Sequence, residues 1–416
     1  MFRMLANTCE KASATRKAMT EQVKSPDFVE YHREILPALL EHGRGELLGG
    51  QHLPVLGLSV VGTDESFSYT LGEQGLGIGC GIDNADVSIA LEEKDWRGLV
   101  DDLETVPGIL YGGRLAGHTG NLMDFVRWEP ALRALYTGRP IYDAEHFELT
   151  DEHGDALDPL SAFSLASDDG QMRAFLDAAG YLLVTSVFTE PEVARFRAAA
   201  AELAAAAVEG DQSSWWGKSG NGDSVLCRCL KAGTHPTFSG LYDDPRMRRL
   251  AALLPEGMIH LPPQEQDAIT AIYKNPGVTE GLSDLPWHRD CGMGGHASMC
   301  PTYVLSIYLY DATPAAGQLQ FLPGSQDFGF GFADASQVKY GKAVTVPACA
   351  GDITLHIGDV MHAAPPPEGR EAPFRQSILL AFQPDFIHHR GERHYNDALL
   401  GAEDGQVPHL RRIVKK

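Results

Sequence analysis

Two histidine–aspartate pairs in the sequence have a spacing that suits metal ligands: His288 with Asp290, and His153 with Asp155. Residues two apart on a β-strand point to the same face, so either pair could present two ligand atoms together. The first pair lies in a strand-rich half of the chain and could point into the mouth of a barrel. The second lies in a polar, turn-rich stretch with nothing rigid to hold it. We therefore expect His288 and Asp290, but not His153, to bind a metal.

A third ligand should come from a distant strand, and residues 351–367 (GDITLHIGDVMHAAPPP) offer His356 and His362. Two histidines and one carboxylate on one face leave three open positions on Fe(II). Those positions suit a chelating co-substrate and O2, as in non-haem iron oxygenases. Spacing alone leaves both histidines open as the third ligand.

The strand-like run 374–382 (FRQSILLAF) follows a Pro-rich turn after His362. Alternation places Arg375 and Ser377 on one face of this run. An arginine can form two parallel hydrogen bonds with a carboxylate, and a serine hydroxyl can add another. Because a buried arginine is costly without an anionic partner, we expect Arg375 and Ser377 to bind a dicarboxylate co-substrate.

The elements that must position these residues are short apolar runs separated by Gly and Pro. Those after residue 267 have strand length and no helices among them; they are 268–274, 302–310, 318–323, 342–347, 352–357 and 374–382. This order predicts an antiparallel sandwich or jelly roll. Residues before 140 instead mix helix-like and strand-like patterns, which predicts an α+β module.

The expected organisation has five parts, which differ in composition and periodicity. They are a leader expected to be disordered (1–27), an α+β N-terminal domain (28–140), an acidic linker (141–170), a mainly β domain with flanking helices (171–395) and a tail (396–416).

Composition argues against several classes of partner. The sequence has 34 Lys plus Arg and 56 Asp plus Glu, a formal charge of 34 − 56 = −22, which disfavours nucleic acid and anionic membranes. No apolar run approaches the roughly 18 residues that a membrane span needs. The seven cysteines include no CxxC pair, so we expect no disulfide framework and a cytoplasmic location.

The second half, about 170–385, resembles the phytanoyl-CoA dioxygenase family of Fe(II)- and 2-oxoglutarate-dependent oxygenases. The likeness lies in the order and spacing of five runs, which are GYLLVTSVFTEPEVARFR, AIYKNPG ahead of WHRD, GQLQFLPGSQ, GDITLHIGDVMHAAPPP and FRQSILLAF. The resemblance implies a double-stranded β-helix (a jelly roll) in which His288, Asp290 and His362 hold iron and Arg375 holds 2-oxoglutarate. His362 is preferred because the family's distal histidine falls just before the Pro/Gly turn. His356 is then expected beside the site or on the surface.

Two positions depart from the family's pattern. Gln326 stands where the family often has the histidine of Pro-Gly-Ser-His, and Ala364 stands where a hydroxyl residue often follows the distal histidine by two. We expect the first departure to affect loop packing. The second should remove one hydrogen bond to 2-oxoglutarate.

The first half, about 28–137, is similar to a sterol-carrier-protein (SCP2-like) lipid-binding module in the runs 85–102 and 111–135. This similarity implies a small sheet backed by helices around an apolar pocket. The alternative is a domain of that shape kept for packing or dimerisation. The run 75–81 (GLGIGCG) lacks the spacing of a dinucleotide-binding loop and predicts a hairpin.

Together these features predict an Fe(II)/2-oxoglutarate-dependent dioxygenase that also uses O2. We expect it to hydroxylate a C–H bond of a small, hydrophobic or lipid-like substrate, with release of succinate and CO2. Asp290 favours hydroxylation over halogenation, because a carboxylate ligand fills the position that a chloride would need. Desaturation or ring formation stays open, since substrate positioning rather than ligand identity chooses among these outcomes. The alternatives are a non-catalytic lipid-binding or transfer protein, and an oxygenase acting on a polar metabolite or amino-acid derivative in natural-product tailoring. We expect no nucleic-acid partner and no membrane insertion, and a homodimer stays open.

Overall fold

The helices and strands fall into two groups with separate hydrophobic cores. The computed structural model describes residues 26–48, 52–72, 75–102, 104–143, 146–211, 213–280, 285–290, 302–330, 342–371 and 373–384. Nearly all of the leader and the whole tail lie outside these residues. One core is built from residues between Phe28 and Tyr136, and the other from residues between Met172 and Phe382.

The first group is a five-stranded sheet covered by helices. Its strands β1 to β5 are Leu53–Val60, Ser66–Gly72, Gly75–Cys80, Val87–Leu91 and Leu115–Thr119. They lie in the order β3-β2-β1-β4-β5, with β1 and β4 parallel and the other neighbours antiparallel. The glycine-rich run that predicted a hairpin is strand β3, paired with β2.

Four helices accompany this sheet. Helix α1 consists of Phe28–Glu30, the π-helical Tyr31–Ile35 and Leu36–Glu41 in succession, and a 3₁₀ turn follows at Arg44–Leu48. The other helices are α2 Glu93–Val100, α3 Val106–Tyr111 and α4 Leu122–Thr137. The indole of Trp128 on α4 donates to the Pro54 carbonyl of β1 at 2.7 Å. Helix α4 ends at Gly138, whose φ of 79° is the left-handed conformation typical of a helix C-terminus. The chain turns there towards the second group.

The second group contains two sheets. The strands are β6 Ala162–Ser164, β7 Tyr181–Thr185, β8 Ser214–Ser219, β9 Ser224–Cys229, β10 Met258–Ile259, β11 Ile269–Tyr273, β12 Val278–Glu280, β13 Leu285–His288, β14 Tyr303–Tyr308, β15 Gln320–Phe321, β16 Val344–Thr345, β17 Ile353–Ile357, β18 His362–Ala364 and β19 Gln376–Pro384. The larger sheet has ten strands: nine lie in the order β12-β8-β9-β11-β19-β14-β17-β7-β6, and β10 pairs with β19 outside this order. The smaller sheet has the order β13-β18-β15-β16.

Helices flank these sheets near the start of the group. They are α5 Asp169–Ala179, α6 Glu190–Ala206, α7 Pro236–Ser239 and α8 Pro245–Ala251, with short 3₁₀ turns at Ala232–Thr234, Leu241–Asp243, Pro314–Ala316 and Ser325–Asp327. A capping box begins helix α6, in which Glu192 accepts hydrogen bonds from the backbone N–H and hydroxyl of Thr189. In the described part of the chain, no helix combines the length and apolar character needed to cross a membrane.

The mainly β character predicted for the second half is confirmed, with differences in detail. The runs 318–323 and 342–347 shorten to the two-residue strands β15 and β16. Each run ends in a proline, Pro323 or Pro347, which has no N–H to donate to a ladder. Within the segment expected to be a linker, β6 joins the larger sheet parallel to β7.

Candidate metal and co-substrate site

The smaller sheet brings His288 and His362 together from distant parts of the chain. Strand β13 ends at His288, which lies opposite His362 on the antiparallel strand β18. The interpretation that His288 and Asp290 share one strand face is wrong in detail, because Asp290 follows the end of the strand. A backbone hydrogen bond of 2.8 Å, from the Asp290 N–H to the Gly358 carbonyl, holds the aspartate there instead.

The three residues form a compact set of ligand atoms. One atom from each of His288, Asp290 and His362 lies within 4.8 Å of the others. The distances to Asp290 Oδ1 are 3.6 Å from His288 Nε2 and 3.5 Å from His362 Nε2. Two imidazoles and one carboxylate in this arrangement fit a divalent iron ion and leave further coordination positions open.

Hydrogen bonding prepares His362 and Asp290 for a metal. The Nδ1–H of His362 donates to the Val360 carbonyl at 2.9 Å, so its Nε2 carries the lone pair and faces the site. Burial alone would raise the pKa of Asp290, but His362, His288 and His356 together hold it well below its ordinary value. Asp290 is therefore ionised, as a metal ligand must be.

His356, the histidine that spacing left open, lies beside the ligand set rather than on the surface. It is buried on β17, and its Nε2 is 3.4 Å from Asp290 Oδ2. Neither of its ring nitrogens has a hydrogen-bond partner. The group of atoms close enough to hold one ion contains His362 and not His356.

Replacing His356 with alanine should weaken iron binding only in part, by about 10- to 100-fold at most, because it removes a contact to a ligand rather than a coordinate bond. Isothermal titration with Fe(II) under anaerobic conditions measures this effect. A loss as complete as that expected for His362→Ala would instead make His356 a ligand.

Arg375 and Ser377 lie together at the start of β19, with Arg375 immediately before the strand's first residue. Their side chains are only 4% and 1% exposed. Arg375 Nε and Ser377 Oγ are buried without a hydrogen-bond partner. Orphaned donors of this kind are costly unless a ligand satisfies them, and a carboxylate fits both. The residues present therefore fit 2-oxoglutarate.

Lys274 connects this pair to the strand of His362. The residue follows β11 and is buried, and its ammonium donates to the Ala364 carbonyl at 2.5 Å. Its backbone N–H donates to the Arg375 carbonyl at 3.0 Å. Two buried cationic side chains, Lys274 and Arg375, thus lie close to the end of β18.

The family comparison agrees with this geometry. Residues 176–372, a little less than half of the chain, match the model of the family described as phytanoyl-CoA dioxygenase. This region is phytanoyl-CoA dioxygenase-like. Its sheets carry the His288, Asp290 and His362 set, and iron and 2-oxoglutarate fit its residues. No curated protein matches the chain.

The phytanoyl-CoA dioxygenase-like region is also similar to solved structures. EvdMO1 is 23% identical over 52% of this chain and 50% of its own, with a TM-score of 0.42, so the chain spans about half of its length. SnoN, described as the non-heme alpha ketoglutarate dependent epimerase from nogalamycin biosynthesis, is 22% identical over 55% of this chain and 86% of its own, with a TM-score of 0.41. EvdO2 from Micromonospora carbonacea var. aurantiaca, complexed with 2-oxoglutarate, is 20% identical over 56% of this chain and 96% of its own, with a TM-score of 0.39.

The two departures from the phytanoyl-CoA dioxygenase pattern have structural counterparts. Gln326 donates from its amide to the carbonyls of Asp177 and Ala178 at the end of α5, so it does pack the loop. Ala364 offers no hydroxyl, and its carbonyl is the acceptor for Lys274. His153 is an exposed residue that contacts the neighbouring Glu152, and it is not a member of the ligand set.

Sequence reasoning missed several residues around the phytanoyl-CoA dioxygenase-like site. Lys274 had one available signal, a cation at the end of an otherwise apolar strand run (AITAIYK). Arg289 also had a signal, since a residue between two ligands on extended backbone must point away from the metal. Asp359, which lies near Arg289, and Arg139, which pairs with Asp359, had no such signal.

Proposed function

We propose that the protein is an Fe(II)- and 2-oxoglutarate-dependent oxygenase that hydroxylates a C–H bond of a small molecule and releases succinate and CO2. One observation carries the proposal. The ligand atoms of His288, Asp290 and His362 lie within 4.8 Å of one another, in a region that also buries the unsatisfied donors of Arg375 and Ser377. We also propose that the two sheets that carry these residues form a double-stranded β-helix.

The chain's own residues bind and orient the reactants. Iron with bound 2-oxoglutarate and O2 supplies the oxidising chemistry. His288, Asp290 and His362 would hold the ion, and three protein ligands would leave coordination positions for the co-substrates. The guanidinium of Arg375 and the hydroxyl of Ser377 bind the carboxylate remote from iron, which fixes the orientation of the keto acid. The Val360 carbonyl keeps the His362 ring in its ligating tautomer.

Asp290 supports hydroxylation as the outcome. The carboxylate of Asp290 would occupy the coordination position that a halide needs, which favours hydroxylation over halogenation. We propose a hydrophobic or lipid-like substrate, since phytanoyl, the group in the family's description, is a branched hydrocarbon acyl chain.

The N-terminal group of elements is not part of the lipid proposal. A cavity described in it is lined by eight residues, and four of them are charged: Asp102, Glu104, Glu129 and Arg133. An acyl chain or sterol would desolvate these charged side chains without offering them a hydrogen bond. We propose instead that this domain serves the oxygenase domain by packing against it.

An anaerobic titration tests the proposed function. Adding Fe(II) and then 2-oxoglutarate should produce a weak visible metal-to-ligand charge-transfer band, because the keto acid chelates the iron. The matched control is His362→Ala, which should give no band, with His153→Ala giving the band in full. A wild-type protein that binds neither iron nor 2-oxoglutarate would support the non-catalytic binding protein instead.

A further inference from the structure

A chain of buried charges links the end of helix α4 to the residue between two metal-site ligands. Arg139 donates from Nη1 to Asp359 Oδ2 at 2.8 Å, and Asp359 Oδ1 is 3.8 Å from Nη1 of Arg289. All three side chains are at most 6% exposed. We call these residues the Arg139–Asp359–Arg289 chain. Its members come from three separate parts of the sequence.

At one end of this chain, Arg289 lies between His288 and Asp290. Its side chain points away from theirs, and Nη2 donates to the Phe328 carbonyl. The guanidinium carbon is 5.1 Å from the centre of the Phe330 ring. A displacement of Arg289 would therefore be transmitted through one peptide unit to each neighbouring ligand.

In the middle, Asp359 belongs to the turn that follows β17, and this turn also contacts Asp290 directly. The Gly358 carbonyl accepts the Asp290 N–H at 2.8 Å. A Cβ on Gly358 would lie 2.3 Å from Thr302 Oγ1 and 3.4 Å from the Asp290 Cβ, so the turn and the ligand are tightly packed. Moving Asp359 would move the backbone that holds Asp290.

At the other end, Arg139 is fixed by the N-terminal elements. It follows Gly138 at the end of α4, and Arg44 ties that end through a 2.8 Å bond to the Leu135 carbonyl. The next residues extend along the loop that holds Arg289: the Gly329 N–H donates to the Pro140 carbonyl at 2.7 Å, and the Tyr142 N–H donates to the Gly329 carbonyl at 3.0 Å. The N-terminal elements thus hold both partners of Arg289, namely Asp359 and the loop containing Phe328.

We propose that Arg139 is a positioning residue for the metal site, acting through Asp359 and Arg289 to hold Asp290 and His288 in place. The inference rests on the proposed function and deepens it, because it gives the N-terminal domain a role at the site. Without Arg139, the more distant Arg289 is the cationic partner that the buried Asp359 carboxylate keeps among the residues that the structure describes. It should then move towards Arg289 and displace the turn that holds Asp290.

The test uses the full chain and measures Fe(II) affinity and thermal stability in parallel. Arg139→Met should weaken Fe(II) binding, followed by anaerobic calorimetry without co-substrate, by about tenfold or more, the range seen for residues that orient metal ligands. Arg139→Lys keeps the charge and should remain within about threefold of wild type, although a lysine lacks the planar fork. The matched control is Arg127→Met, an exposed arginine on helix α4, which should leave the affinity unchanged.

A double-mutant cycle makes the inference falsifiable even if Arg139→Met is poorly stable. If Arg139 acts through Asp359, combining Arg139→Gln with Asp359→Asn should weaken iron binding no more than Asp359→Asn alone. Additive losses would overturn the inference, as would a lower melting temperature of Arg139→Met with unchanged Fe(II) affinity. A wild-type protein that binds no Fe(II) would refute the proposed function itself, whereas unchanged affinity in the variants refutes only the role of Arg139.

Discussion

Replacing His362 with alanine should abolish iron binding and turnover, and His288→Ala and Asp290→Ala should each do the same. Each variant removes one of three protein ligands, and the two that remain cannot hold the ion in a site with open positions. In His362 a backbone carbonyl also fixes the tautomer that leaves Nε2 free to bind the ion. Metal content after anaerobic loading with Fe(II), together with succinate formation, measures both effects.

The controls for this prediction are the two other histidines that sequence spacing made candidates. His153→Ala alters an exposed side chain and should bind iron as the wild type does. His356→Ala should keep most of its iron, since His356 contacts Asp290 but lies outside the ligand set. If His356→Ala lost its iron while His362→Ala retained it, the assignment of the third ligand would be wrong.

The sequence predicts those parts of the candidate site that depend on the spacing of a few neighbouring residues. The spacing of His288 and Asp290 and the alternation of Arg375 and Ser377 are properties of a few neighbouring residues. The choice of His362 over His356 needed the family resemblance, because both lie on short strands and both are buried near Asp290. In the structure the difference is one of register, since His362 lies directly opposite His288 and His356 lies on the other sheet.

The buried charges around the site could not be predicted, because their partners are distant in sequence. Arg139 and Asp359 are 220 residues apart, and nothing local marks either as a partner of the other. Lys274 is paired with the carbonyl of Ala364, a residue whose side chain gives no signal for such a contact. These pairings depend on how the sheets pack, which periodicity does not encode.

The fold shows the same division between local and distant information. The strands β11, β14, β17 and β19 coincide with apolar, β-branched runs that predict them. Strands β6 and β8 were not predicted, because their residues (AFS and SWWGKS) are short or carry mixed polarity. They form because neighbouring strands offer edges to pair with, β7 for β6 and β9 for β8.

Replacing Arg375 with alanine should raise the apparent requirement for 2-oxoglutarate by orders of magnitude, while Fe(II) affinity changes little. Arg375 is 4% exposed and its Nε has no hydrogen-bond partner, so the co-substrate carboxylate is the anion that would satisfy it. Breaking a buried charge pair by deleting one partner costs about 3–5 kcal/mol, which corresponds to a factor of roughly 10² to 10³ or more in affinity. The dependence of succinate formation on 2-oxoglutarate concentration, and a separate Fe(II) titration without it, measure the two effects.

Two further variants test whether the guanidinium of Arg375 itself binds 2-oxoglutarate. Arg375→Lys should recover only part of the affinity, because a point charge cannot make the two parallel hydrogen bonds of the guanidinium. Arg370 is the matched control, an exposed arginine in the turn between β18 and β19, and Arg370→Ala should behave as wild type. If Arg370→Ala raised the 2-oxoglutarate requirement and Arg375→Ala did not, the co-substrate would bind on the turn rather than beside Ser377. The buried, unsatisfied donors of Arg375 and Ser377 would then need another ligand, because a native structure does not leave such groups unpaired without cost.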